Sequence, residues 1–259
     1  MLIDSHAHIN YNDKLNTYEI IRSMNDEGLE CIVNIGTSVY ESEKAVDIAN
    51  KNANVYATVG IHPEYTDELK EQCLLEIERL ASEKKVVAIG EIGLDYHYEG
   101  YDKEKQMELF KRQLDIAARL DLPVCIHTRD AREDTFLALK EYAPKLKRKG
   151  VMHCFSEDAE WAKKFVDLGF YISFAGNITF KKTDREVLRF VPIDKIMVET
   201  DCPFLSPEPL RGRVNEPKNV KYTAQKIADY LEIDYDYFVE NTTNNTKRLF
   251  YKIKNSSKN

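Results

Sequence analysis

At 259 residues, with 43% hydrophobic and 31% charged side chains, the chain can bury a substantial core as one domain spanning 1–259. No apolar run approaches the roughly 18 residues needed to cross a bilayer, which argues against a membrane partner. A net charge of −7 argues against a broad surface that coats long nucleic acid, and five cysteines without a CxxC pair argue against a disulfide framework or zinc ribbon. The opening residues carry an acid and histidines rather than a basic, then apolar, leader, so the expected location is cytoplasmic.

Short runs rich in Val and Ile alternate along the chain with longer amphipathic stretches. In order, the predicted strands are LID (2–4), CIVNIG (31–36), VYATVG (55–60), VVAIGEIG (86–93), PVCIH (123–127), VMHCF (151–155), FYISF (170–174) and IMVET (196–200). Between them lie helical patterns such as TYEIIRSMNDEG (17–28), ESEKAVDIANKN (41–52) and KEKQMELFKRQLDIAARLDLP (103–123). Two last helical stretches, 221–231 and 235–251, follow the final strand. Eight such units predict an α/β chain folded as a (β/α)8 TIM barrel in a single domain. A doubly wound open sheet is the alternative built from the same alternation.

In a barrel, chemistry gathers at the carboxyl ends of the strands. His6 and His8 follow the first strand, Glu91 lies on the fourth, His127 ends the fifth, His153 lies on the sixth and Asp201 follows the eighth. Four of the six histidines in the chain fall at such positions. A carboxylate at the end of an apolar strand is costly to desolvate unless a cation accompanies it. Six ligands exceed one tetrahedral zinc site and suit two divalent ions with a bridging carboxylate; Mg, Mn, Zn and Co are all compatible with imidazole and carboxylate donors.

LIDSHAHIN, EIGLDY, PVCIHTRDARED, HCFSED, VPIDKIMVETDCP and RGRVNEPKNV, in that order, resemble the signatures of the TatD-like metal-dependent deoxyribonucleases of the amidohydrolase superfamily. The resemblance implies that His6, His8 and Asp201 hold one ion, that His127 and His153 hold the other, and that Glu91 is shared. It departs at Glu157, where HCFSG would have glycine. It also implies hydrolysis of DNA, trimmed as a single strand from an end.

Asp201 and Glu91 are the carboxylates expected to serve catalysis, Asp201 as general base or as ligand only. His62, in VGIHPE, and Arg129, two residues beyond His127, are candidate phosphate contacts, as are Arg211, Arg213 and Asn215 in the loop after the last strand. Asp4, Asp95 and Glu199 are expected to support the ligands. Tyr96, Tyr98 and Phe155 are candidates to stack on a base, and His97 reads as a surface residue. The competing activities are a bimetal amidohydrolase, esterase or lactonase acting on a small molecule, a D-aminoacyl-tRNA deacylase, and a non-catalytic metal-binding barrel. A monomer without an obligate protein partner is expected.

Overall fold

The computed structural model describes residues 1–10 and 15–253. All eight predicted runs form strands: β1 (Leu2–Ala7), β2 (Leu29–Ile35), β3 (Val55–Val59), β4 (Val86–Asp95), β5 (Val124–Arg129), β6 (Gly150–Met152), β7 (Tyr171–Phe174) and β8 (Ile196–Val198). They pair in parallel, in chain order, as one eight-stranded sheet curled into a nearly closed barrel. Parallel strands covered on both faces read as apolar runs, which is why their positions were legible in the sequence.

Helices α1 (Thr17–Ser23), α2 (Val39–Lys51), α3 (Glu71–Ala81), α4 (Lys103–Leu120), α5 (Arg132–Tyr142) and α6 (Ala159–Asp167) follow the first six strands. The side chains of Asn16, Ser38, Asp102 and Asp158 cap α1, α2, α4 and α6 by accepting amide protons of the first turn. The alternation fails once. After β7 the chain makes three 3₁₀ turns, Gly176–Thr179, Glu186–Arg189 and Ile193–Lys195, because GNITFKKTDREVLRFVP lacks a sustained apolar stripe. Helices α7 (Val220–Leu231) and α8 (Tyr235–Leu249) both come after β8.

Two apolar layers result. Ile32, Ala57, Ile89, Val124 and Ile172 face the helices, packing with residues such as Leu74, Phe110 and Phe165. Ile3, Val33, Cys125, Val151 and Met197 form the second layer, joined by Leu249, Phe250 and Ile253 from the end of α8 and beyond.

The seam between β8 and β1 is stitched where the site begins. Ser5 Oγ donates to the carbonyl of Val198 at 2.9 Å, the Asp201 amide to that of His6 at 3.0 Å, and the His8 amide to that of Cys202 at 2.9 Å. Strands β4 and β5 also approach closely: a Cβ on Gly93, which has φ +147°, would lie 1.9 Å from the His127 carbonyl oxygen. Glycine there lets Glu91 and His127 lie side by side.

Candidate metal centre

The six strand-end residues converge. His6 Nε2 lies 3.2 Å from His8 Nε2, and Asp201 Oδ1 is 3.7 Å from the first and 3.3 Å from the second. Glu91 Oε2 faces the same pair at 3.5 and 3.7 Å. Its other oxygen, Oε1, is 2.9 Å from His127 Nδ1 and 2.9 Å from His153 Nε2, which are themselves 3.3 Å apart. One carboxylate therefore spans two imidazole pairs, one oxygen to each.

The outward nitrogen of three of these rings is engaged from behind. His127 Nε2 donates to Asp95 Oδ2 at 2.9 Å, His153 Nδ1 to Glu199 Oε1 at 3.2 Å, and His6 Nδ1 faces Cys125 Sγ at 3.3 Å. With the outer nitrogen protonated, the inner one offers a lone pair. In the metal-free protein a proton on one partner joins the inner nitrogens at 3.2 and at 3.3 Å; a cation in its place would take the lone pairs of both. The donor set thus fits divalent metal.

The electrostatics carry the same tension. Burial opposes ionisation of Glu91, yet the charge of His153 and bonds from His127 and His153 hold its carboxyl well below the usual range. Burial likewise works against a charged His153, but the Glu91 charge and the Glu199 bond raise it well above the ordinary histidine value. His6 is lowered by burial and by the charge of His153. Asp201 is buried too, which raises it; the His8 hydrogen bond and the His6 and His153 charges bring it below the ordinary value.

The supporting acids divide in two. Asp95 and Glu199 orient rings directly, and each is itself anchored: Asp95 by the His97 amide at 2.9 Å, Glu199 by the Cys154 amide at 2.8 Å. Asp4 works on the backbone instead, accepting from the Thr200 amide at 2.9 Å, the Thr200 hydroxyl at 2.5 Å and the His6 amide at 3.4 Å. It thereby ties β1 to the turn that carries Asp201.

His62 also falls in a ligand-like group with Glu91 and His127. Its Nδ1 accepts the Glu64 amide at 3.2 Å, so the ring proton sits on Nε2, 3.6 Å from Glu91 Oε1. Burial and then the charge of His127 push its pKa down to about 3. A neutral imidazole aiming an N–H inward is a hydrogen-bond donor rather than a metal ligand.

His8, His62, Glu91, His127, His153 and Asp201 line a cavity of about 470 Å³, as does Arg129, while His6 is fully buried and does not reach it. The predicted residues of the last loop behave differently. Asn215 is fully buried and its amide is spent: Nδ2 donates to the carbonyls of Thr200 and Phe204, and Oδ1 accepts from the Glu216 amide and Asn219 Nδ2. It latches the loop and has no atom left for phosphate. Arg211 and Arg213 are exposed and not among the residues lining the cavity; the Arg211 guanidinium lies 3.7 Å from the Phe180 ring centre.

Of the proposed stacking rings, only Tyr98 lines the cavity. Tyr96 stacks on Tyr101 and bonds Asp134, and Phe155 is a core residue packed against Phe165 and Phe174. His97 pairs with Asp130 at the surface. Glu157, in place of the expected glycine, pairs with Arg132 at 2.9 Å. Tyr65, Phe204 and Cys125 escaped the sequence reading. The first two lie within three residues of His62 and Asp201, where a search of the loop after each strand-end ligand would have found them.

The profile of the TatD-related DNase family matches residues 3–251. The chain belongs to this family. Among its relatives, an uncharacterised metal-dependent hydrolase, YabD, of Bacillus subtilis is 41% identical over 96% of this chain and 99% of its own length. The 3′-5′ ssDNA/RNA exonuclease TatD of Erwinia tasmaniensis is 32% identical over 90% of this chain and 92% of its own. The crystal structure of YJJV, a TatD homologue of Escherichia coli, superposes with a TM-score of 0.91 at 28% identity, covering 96% of this chain and 98% of that one. Membership in the TatD-related family makes this chain a metal-dependent hydrolase. No described helix is long and apolar enough to cross a membrane.

Proposed function

We propose that this chain is a phosphodiesterase that uses two divalent ions to trim single-stranded DNA from an end. The observation that carries the reading is the split of Glu91, with Oε2 toward His6 and His8 and Oε1 toward His127 and His153. His6, His8 and Asp201 would hold one ion, His127 and His153 the other, and Glu91 both. Ions held there supply a lowered water pKa and neutralise charge developing on phosphoryl oxygens.

The protein's own groups do the rest. Asp201, ionised at neutral pH, takes the proton of the attacking water. His62 donates from Nε2 to a phosphoryl oxygen and stays neutral throughout, since its pKa is about 3. Arg129 binds a neighbouring phosphate. Asp95 and Glu199 hold the rings of His127 and His153 in the orientation that turns their inner nitrogens toward Glu91.

The name of the Erwinia relative, a 3′-5′ ssDNA/RNA exonuclease, supports the substrate. The test is metal analysis of the purified chain, then incubation of end-labelled single-stranded DNA with Mg, Mn, Zn or Co beside a panel of lactones, carboxyl esters and a D-aminoacyl-tRNA. Stepwise shortening of the DNA is expected. Turnover of an ester or lactone with intact DNA overturns the reading in favour of a small-molecule hydrolase.

A further inference from the structure

The ligands lie on the floor of the cavity, and its mouth is built differently. Three aromatic rings line it while remaining open to solvent: Tyr65 is 43% exposed, Tyr98 57% and Phe204 42%. They come from the loops after β3, β4 and β8, so they stand at separate points of the rim. Each adjoins a group of the site. Tyr65 lies edge-on to His62 with ring centres 6.5 Å apart, and Phe204 edge-on to His8 at 6.3 Å. The Arg129 guanidinium lies 5.2 Å from the centre of the Tyr98 ring and donates to its hydroxyl at 3.3 Å.

Charge at the mouth is sparse and mostly of the wrong sign for a polyanion. Arg129 is the one Lys or Arg among the described residues that line the cavity, against Glu64, Glu91, Asp95 and Asp201. A neighbouring hollow, which meets the cavity at Ser156 and Asn177, is lined by Glu157, Asp158, Glu160, Asp184 and Glu186. Beyond the ions that the phosphodiesterase reading puts on the floor, Arg129 is therefore the one cationic side chain, among the described residues that line the cavity, for a phosphate chain to meet. Affinity beyond the phosphates held by the ions, His62 and Arg129 has to draw on the bases.

We infer that Tyr65, Tyr98 and Phe204 form a stacking rim that grips the unpaired bases of a nucleic-acid end, with Arg129 holding the phosphate between them. This rests on the phosphodiesterase reading and adds how the substrate is recognised. Aromatic faces accept every base, so the rim tolerates any sequence. Bases within a duplex have their faces covered by their neighbours, and a cavity of about 470 Å³ closed by buried ligands does not admit a paired helix. The rim thus selects frayed or single-stranded ends.

The test compares the metal-loaded wild type with Tyr65→Ala, Tyr98→Ala, Phe204→Ala and Arg129→Ala on two strands. One is a single-stranded oligodeoxynucleotide; the other is the same strand with abasic residues at the three terminal positions of both ends. Each aromatic variant should raise KM on the normal strand by roughly 5- to 150-fold, the range that loss of one stacked base produces, with a smaller change in kcat. Tyr98→Phe keeps the ring and loses only the hydroxyl bonded by Arg129, so it should raise KM far less than Tyr98→Ala. On the abasic strand the wild type should already show the raised KM, and the aromatic variants should add nothing. Arg129→Ala should raise KM on both strands alike. An unchanged KM on the normal strand, or equal losses on both strands for the aromatic variants, overturns the rim while the nuclease reading stands. Failure of the wild type to cut either strand overturns both.

Discussion

At the floor of the cavity, donor atoms are held from behind: His127 by Asp95, His153 by Glu199, His6 against Cys125, and Glu91 by the imidazoles on both sides. At the mouth, Tyr65, Tyr98, Phe204 and Arg129 stand in or near loops with much of their surface in water. The difference follows from what each layer has to do. A cation tolerates little error in ligand position, so rigidity is built into strand ends and buried partners. A flexible polymer end needs faces to lie against, which exposed rings on loops supply.

The largest effect that would break this contrast comes from the floor. Glu91→Ala removes the carboxylate shared by both halves, so hydrolysis should fall below detection and bound metal should fall with it, measured by elemental analysis. The fold should persist by circular dichroism, because Glu91 belongs to the site and not to either apolar cluster. Undiminished turnover would sink the shared-ligand assignment.

Next in size is the layer behind the ligands. Asp95→Ala and Glu199→Gln should each weaken metal affinity about 10- to 100-fold. Titration with a chelating competitor would read this, and excess metal should restore most of the activity. If KM for the strand rises while metal affinity is unchanged, floor and mouth are not the separate layers described.

Proton competition sharpens the contrast further. His153 in the metal-free protein has its pKa raised above 6.5, so the folded chain keeps a proton that the unfolded chain has lost. This contribution to stability is complete below pH 6.5 and vanishes as pH rises through the folded value. Metal binding has to expel that proton, so affinity should climb with pH, by about 10-fold or more between pH 6 and 8. Calorimetry in two buffers of different ionisation enthalpy should detect the released proton; a flat profile contradicts the assignment of His153 as a ligand.

Smaller still is the loop after β8. Asn215→Ala leaves buried carbonyls and an amide unsatisfied, so it should cost about 1–3 kcal/mol of stability in urea denaturation. Arg211→Ala should leave KM within about twofold, since its guanidinium lies on Phe180 outside the cavity. A large KM change in the Arg211 variant would extend the mouth into that loop.

The converging cluster was legible because a barrel puts chemistry at strand ends and the strands announce themselves as apolar runs. His6, His8, Glu91, His127, His153 and Asp201 all stand at such ends, and the structure brings them together. The last loop misled for the opposite reason: RGRVNEP looks equally polar whether its side chains reach a ligand or bond their own backbone, and Asn215 does the latter. Phe155 misled because closeness to a ligand in sequence does not say which side of the strand end a ring takes, and its ring packs into the core. The missing helix after β7 was foreshadowed only by the lack of an apolar stripe.

By itself, then, the sequence determined the eight strands, the βα alternation and the polar residues at the strand ends, because hydrophobic periodicity and side-chain chemistry are local properties. Tertiary structure alone decided that Glu91 divides its oxygens between two imidazole pairs, that His62 presents a proton instead of a lone pair, and which aromatic rings reach the mouth. The first and last of these depend on distances between residues tens to hundreds of positions apart, which only the closure of the barrel sets, and the second on the turn after β3, whose Glu64 amide takes the other nitrogen of His62.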